Sequence, residues 1–246
     1  MAHISLFDSA GHRNILLEEF GSGGLAVQAN QHVIIDGREG MILDPGGHKL
    51  YSRALSATLG LLGEAKLSHI FLSHQDPDIV AAINGWLMST DAIAHVSELW
   101  TRFVPHFGLD RLLEHRLLSI PDEGQRQKLG DRELVFLPAH FLHSAGNFHV
   151  WDETSKILYT GDLGASIGVD YREVPDFDAH VPAMEPFHRR YMASRRAMQT
   201  WVRRVRGLDI EIIAPQHGAL LRGREMVQRF LAWCDGLECG LDLLGG

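Results

Sequence analysis

The chain has 246 residues, 45% hydrophobic and 22% charged, a composition that supports a buried core and excludes disorder as the main state. Its 31 acidic residues outnumber 23 Lys and Arg for a formal charge of −8, a balance that disfavours phosphate surfaces, so no nucleic acid is expected as a partner. Two cysteines, Cys234 and Cys239, are too few to staple a domain of this size, and no stretch nears the roughly 20 apolar residues of a membrane span, so one cytoplasmic domain over residues 1–246 is expected.

Along the first fifty residues, short apolar runs alternate with Gly-rich punctuation at residues 21–24 and 45–47, which predicts a β-meander. Leu55, Leu59 and Leu62 recur at helical spacing within residues 50–62, and a strand ending in Ser73-His74 follows. A helix is predicted over residues 79–88 with Pro77 near its start, then a strand over 92–96 and helical stretches around 98–107 and 110–116. Residues 133–137, 148–151 and 156–159 read as strands. Residues 163–188, with Pro175, Pro182 and Pro186 and little periodicity, read as a long loop. An amphipathic helix is predicted over 188–206, with Tyr191, Met198, Trp201, Val202 and Val205 on one stripe and an arginine-rich face largely off it; a strand at 210–214 and a helix at 224–235 complete the chain. The arginine face reads as a solvated surface or as a surface for an anionic partner. Strands joined by tight turns alongside strand–helix alternation favour two mixed sheets with outer helices.

The 15 histidines prompt a search for a metal or proton-transfer site. Ser73-His74-Gln75-Asp76-Pro77-Asp78 places three ligand types at alternate positions after a strand, where the backbone can turn them into one cleft. A strand-to-helix turn also uses Asp as an N-cap, and Asp76 or Asp78 alone would meet that need. Three later segments each end or follow a predicted strand with another ligand type: His143, Asp162 in Gly161-Asp162, and His217 in Gln216-His217-Gly218. Each is weak alone; the ordered set, each at a strand end, is a stronger signal.

This pattern resembles the metallo-β-lactamase fold, an α+β four-layer αββα sandwich with a dinuclear metal site, over about residues 21–230. Zinc hydrolases of that superfamily carry His-x-His-x-Asp-His. The carboxylate Asp76 at the second position is similar instead to flavodiiron proteins and the stand-alone oxygen-binding diiron proteins, whose motif reads His-x-Glu-x-Asp. The resemblance implies two iron ions, one held by His74, Asp76 and His143, the other by Asp78 and His217, with Asp162 bridging. A carboxylate-rich N/O donor set suits iron or manganese, whereas more imidazole would suit zinc. The chain departs from the family twice. Asp76 is one methylene shorter than Glu, and Ile79 stands where many relatives have a further His, a loss that either opens a coordination position for oxygen or substrate or weakens metal binding, with His140, His149 or His188 as alternative compensating ligands. Asp44 resembles the family's structural strand-end Asp, and His140 is a candidate proton donor near bound oxygen.

Flavodiiron proteins add a C-terminal flavodoxin domain, and only a short segment follows Phe230, so no bound flavin is expected. The resemblance therefore implies an oxygen sensor, or a reductase of O2 or NO fed by a separate electron-donor or signalling protein, with a homodimer as one assembly. A dinuclear metallohydrolase of a thioester, lactone or phosphodiester is the alternative.

Overall fold

A computed structural model describes residues 3–17 and 28–244, so the glycine-rich turn expected at residues 21–24 lies outside the described residues. The chain divides into two compact units, Met1–Phe136 and Leu137–Gly246.

In the first unit a seven-stranded sheet runs in sequence order: β1 (His3–Ser9), β2 (His12–Leu17), β3 (Gln31–Asp36), β4 (Glu39–Leu43), β5 (Lys66–Phe71), β6 (Ile93–Ser97) and β7 (Leu117–Ile120). β1 to β4 pair as an antiparallel meander, as expected, with two-residue turns joining β1 to β2 and β3 to β4, and β4 to β7 are parallel because helical segments connect them. Helix α1 (Tyr51–Leu62) forms where the leucine periodicity predicts it. The helix expected over residues 79–88 is instead two, α2 (Pro77–Val80) and α3 (Ile83–Ser89), with Ala82 at φ −97° and ψ 6° between them. Ile42, Ala54, Ile70, Ile79, Ile83 and Trp86 share one core cluster between sheet and helices. The predicted helical stretches after β6 are only short 3-10 turns, Val104–Phe107 and Arg111–Arg116.

The hairpin of β8 (Gln125–Leu129) and β9 (Arg132–Pro138) is held at its turn by the buried Asp36 carboxylate. The Asp131 N–H donates to Asp36 Oδ2 at 2.8 Å, Arg132 Nε donates to Oδ1 at 3.2 Å, and His12 Nδ1 meets the same oxygen at 3.0 Å.

The second unit contains β10 (Phe148–Asp152), β11 (Ile157–Tyr159), β12 (Ile212–Ala214) and β13 (Leu221–Arg222), in sheet order β13-β12-β11-β10. The parallel pairing of β11 with β12 requires a crossover, and α4 (Phe177–Tyr191) and α5 (Arg195–Val205) supply it. α4 corrects the expectation of a loop through residue 188. Asp176 caps it by accepting from the Ala179 N–H at 3.0 Å, and Pro182 and Pro186, one turn apart, both lie on the exposed face of the helix. The single helix expected over 188–206 is broken at Met192, and Ser194 restarts it by accepting from the Ala197 N–H. Trp201, Phe230 and Cys234 are fully buried between α5 and α6 (Arg224–Gly236), and Cys239 is buried beyond it. No helix among the described residues is long and apolar enough to cross a membrane.

Candidate metal centre

The first motif leaves β5 at its C-terminal end. Ser73 is pinned there twice: its N–H donates to Asp44 Oδ1 at 2.8 Å, and its hydroxyl lies 2.9 Å from His74 Nδ1. Asp44 thus has the structural role the resemblance gives it. Ser73 occupies Nδ1, so the nitrogen that His74 presents to Asp76 is Nε2, 3.6 Å from Oδ2. Asp76 occupies the N-cap position of α2, yet its side chain makes no cap bond; it accepts instead from Gln75 Nε2 at 3.1 Å. Capping therefore does not account for this carboxylate. Asp78 is exposed in the first turn of α2 and lies outside the group of mutually close ligand atoms that includes His74 and Asp76.

In the second unit, three turns at strand ends bring His143, Asp162 and His217 together. Asp162 follows β11, and His217 follows the parallel neighbour β12, so the register Tyr159↔Ala214 carries both residues past the same sheet edge. The Gln216 N–H donates to Gly161 O at 2.7 Å, tying the two turns. The Asp162 carboxylate divides its oxygens: Oδ2 lies 3.0 Å from His143 Nε2 and Oδ1 lies 3.3 Å from His217 Nε2. Gly218 is required here. Its φ is +81°, and a Cβ would stand 1.9 Å from Ser166 Oγ.

The remaining histidines separate into structural and peripheral ones. The Gly164 N–H donates to His188 Nε2 at 2.8 Å, so Nδ1 carries the proton and donates to Met184 O, also at 2.8 Å. Burial pushes the His188 imidazole down to about 4, and it serves as a neutral brace for the turn after Asp162 rather than as a ligand replacing the one absent at Ile79. His149 Nδ1 accepts from Trp201 Nε1 at 3.0 Å, which commits that ring to packing as well. Ile79 is fully buried in the core of the first unit. His140 stands edge-on to Phe148 at 5.2 Å, on the turn leading to His143.

Two contributors were not apparent from sequence patterns. Ser73, which sets the presentation of His74, is an ordinary strand-end serine until its neighbour is read as a ligand. Phe187 and Tyr191, stacked with centroids 4.6 Å apart, wall the His143 ring at 6.2 and 5.6 Å; their i, i+4 spacing is a readable signal only once residues 177–191 are known to be helical.

Imidazole Nε2 atoms facing carboxylates at strand ends, in a mixed α+β fold, define a metallo-β-lactamase-like protein. Rubredoxin oxygen:oxidoreductase from Desulfovibrio gigas has this fold, with a TM-score of 0.80 at 15% identity over 94% of this chain and 61% of that one. The family described as ODP family beta lactamase matches residues 27–218, and the chain belongs to it. The chemotaxis sensor ODP from T. denticola, in its apo state, is 40% identical with a TM-score of 0.87, covering 99% of this chain and 97% of that one. A structure described as the peroxy diiron species of chemotaxis sensor ODP gives 0.88 at the same identity, with 99% and 98% covered. Diflavin flavoprotein A 1 of Synechocystis is 24% identical over 79% of this chain and 34% of that protein. The chain spans about half the length, or less, of the curated relatives it matches.

Proposed function

We propose that this chain is a cytoplasmic non-haem diiron protein that binds O2 and reports it as a sensor. In this reading the two units act as one domain, with His74, Asp76 and His143 holding one iron, Asp78 and His217 the other, and Asp162 bridging. The observation that carries the proposal is the Asp162 carboxylate, whose two oxygens face two different imidazoles at 3.0 and 3.3 Å, in a chain 40% identical over nearly its whole length to a chemotaxis sensor described in a peroxy diiron state.

The donor set fits the metal. Carboxylate oxygens combined with imidazole Nε2 atoms make a hard, anionic N/O shell suited to iron. When bound, two ferrous ions supply the electrons by which O2 or NO is held or reduced. The chain's own groups prepare the place. Ser73 fixes which nitrogen His74 presents, His188 braces the turn after Asp162, and the Phe187–Tyr191 stack shields one side of His143. His140 is assigned as the proton donor. A separate electron donor or signalling protein and a homodimer complete the proposal.

The test is anaerobic reconstitution with ferrous iron, a count of bound metal, and admission of air while the visible spectrum is followed. Two irons per chain and a persistent new band are expected. Isolation with zinc, no spectral change and turnover of a model ester or lactone would overturn the reading in favour of a hydrolase.

A further inference from the structure

A second concave surface lies wholly within the second unit. Its volume is roughly 450 Å3, within the ordinary range for ligand sites, and it is bounded on one side by Arg196, Thr200 and Arg204 of α5 and on the other by His140, Phe141 and Leu241. Residues 196, 200 and 204 are successive i, i+4 positions, so they form one ridge of the helix.

Three observations show what this surface is suited to hold. First, the chain carries a formal charge of −8, yet among the described residues no carboxylate is paired with Arg190, Arg196, Arg203 or Arg204. Arg204 donates to Pro138 O and Arg203 to Thr200 Oγ1, which orients both cations without neutralising them. Second, part of the rim is both apolar and exposed. Phe141 is 53% and Leu241 69% accessible. Third, Phe141 has φ +68°, a left-handed conformation unfavourable for an aromatic residue. That conformation is held by two bonds, its N–H donating to Ser144 O at 2.7 Å and its carbonyl accepting from the Ala193 N–H at 3.1 Å, and Leu241 is tied to the same residue, its N–H donating to Ala193 O at 2.8 Å. The turn thus fixes an aromatic ring in solvent beside the unpaired arginines, and an exposed apolar group so held is the arrangement of an interaction surface.

We propose that this surface docks an acidic segment of a partner protein, its carboxylates on Arg196 and Arg204 and an apolar side chain against Phe141 and Leu241. The surface adjoins the turn that carries His143, two residues after Phe141, so a docked segment would lie beside a proposed iron ligand. Docking itself does not depend on the diiron reading and is measurable on the iron-free full chain.

The probe is a fluorescein-labelled synthetic peptide with a central Leu-Phe pair flanked by two glutamates on each side, followed by fluorescence anisotropy. Binding that weakens with salt is expected, with a loss of about tenfold or more for Arg196→Glu. Phe141→Gly is expected to weaken binding by about fivefold or more while leaving the melting temperature unchanged or raised, since glycine relieves the strained backbone; this separates a docking role from a folding role. Arg111→Glu, in the first unit, should change nothing. The proposal is overturned if a peptide with Ser-Ser at its centre binds equally well, if no binding is seen at low salt, or if Arg196→Glu is without effect. Stronger Arg196-dependent binding to phosphatidylglycerol vesicles or to DNA would also overturn it, assigning the surface to lipid or nucleic acid.

Discussion

Acid should weaken the second unit through His188. Its neutral ring is used at both nitrogens, accepting from the Gly164 N–H and donating to Met184 O, each at 2.8 Å. A second proton on Nε2 would point at the Gly164 N–H, and the fully buried ring has no water to stabilise the charge. Burial therefore lowers its pKa from 6.5 to about 4. A base held below its unfolded value binds protons mainly when unfolded, so its stabilisation is complete above about pH 6.5 and is lost as the pH falls towards 4. At about 1.4 kcal/mol per pH unit the loss across that window is roughly 3 kcal/mol. Urea unfolding of the iron-free protein at a series of pH values should show this slope. His188→Gln, which offers an acceptor and a donor but does not titrate, should be less stable at neutral pH and show a shallower slope below pH 6.5. Parallel pH profiles for parent and variant would refute the reasoning.

Three further outcomes follow from the structure. Ser73→Ala removes the hydroxyl at His74 Nδ1 and should weaken ferrous iron binding about 10- to 100-fold, read by anaerobic titration, with the fold intact by circular dichroism. Gly218→Ala meets Ser166 at 1.9 Å in a left-handed backbone and should cost at least about 2 kcal/mol in urea unfolding; an alanine variant as stable as the parent would show that the His217 turn is not fixed in this way. Asp36→Ala leaves the buried His12 ring and the Asp131 N–H without their acceptor and should cost about 3 kcal/mol, seen as a lowered midpoint, while Asp36→Asn should recover part of the loss.

The sequence was most readable where chemistry and periodicity coincide. His74, Asp76, His143, Asp162 and His217 each terminate or follow a strand, and a ligand-type residue at a strand end is visible without coordinates. The meander, α1 and the final helix also form where turn residues and leucine spacing place them. The rule that proline ends helices hid α4, because it carries no information on which face the proline occupies; Pro182 and Pro186 face solvent, and the helix continues past both. The break at Met192 was hidden for a related reason, since its signal is the single capping serine Ser194 within an otherwise continuous amphipathic stripe. The roles of Ser73 and His188 depend on which ring nitrogen is engaged, information that appears only once backbone donors and acceptors have positions.

Ile79 ties the first motif to the core of the first unit. It stands where many relatives resembling this chain carry a histidine, and it is packed without exposure among Ile42, Ile70, Ile83 and Trp86. Returning a histidine there would place a polar ring in an apolar core and leave a poorly filled space around it, a burden that one substitution cannot relieve. The first motif and the core are thereby coupled: a histidine at this position would call for further changes among the neighbours fitted to isoleucine.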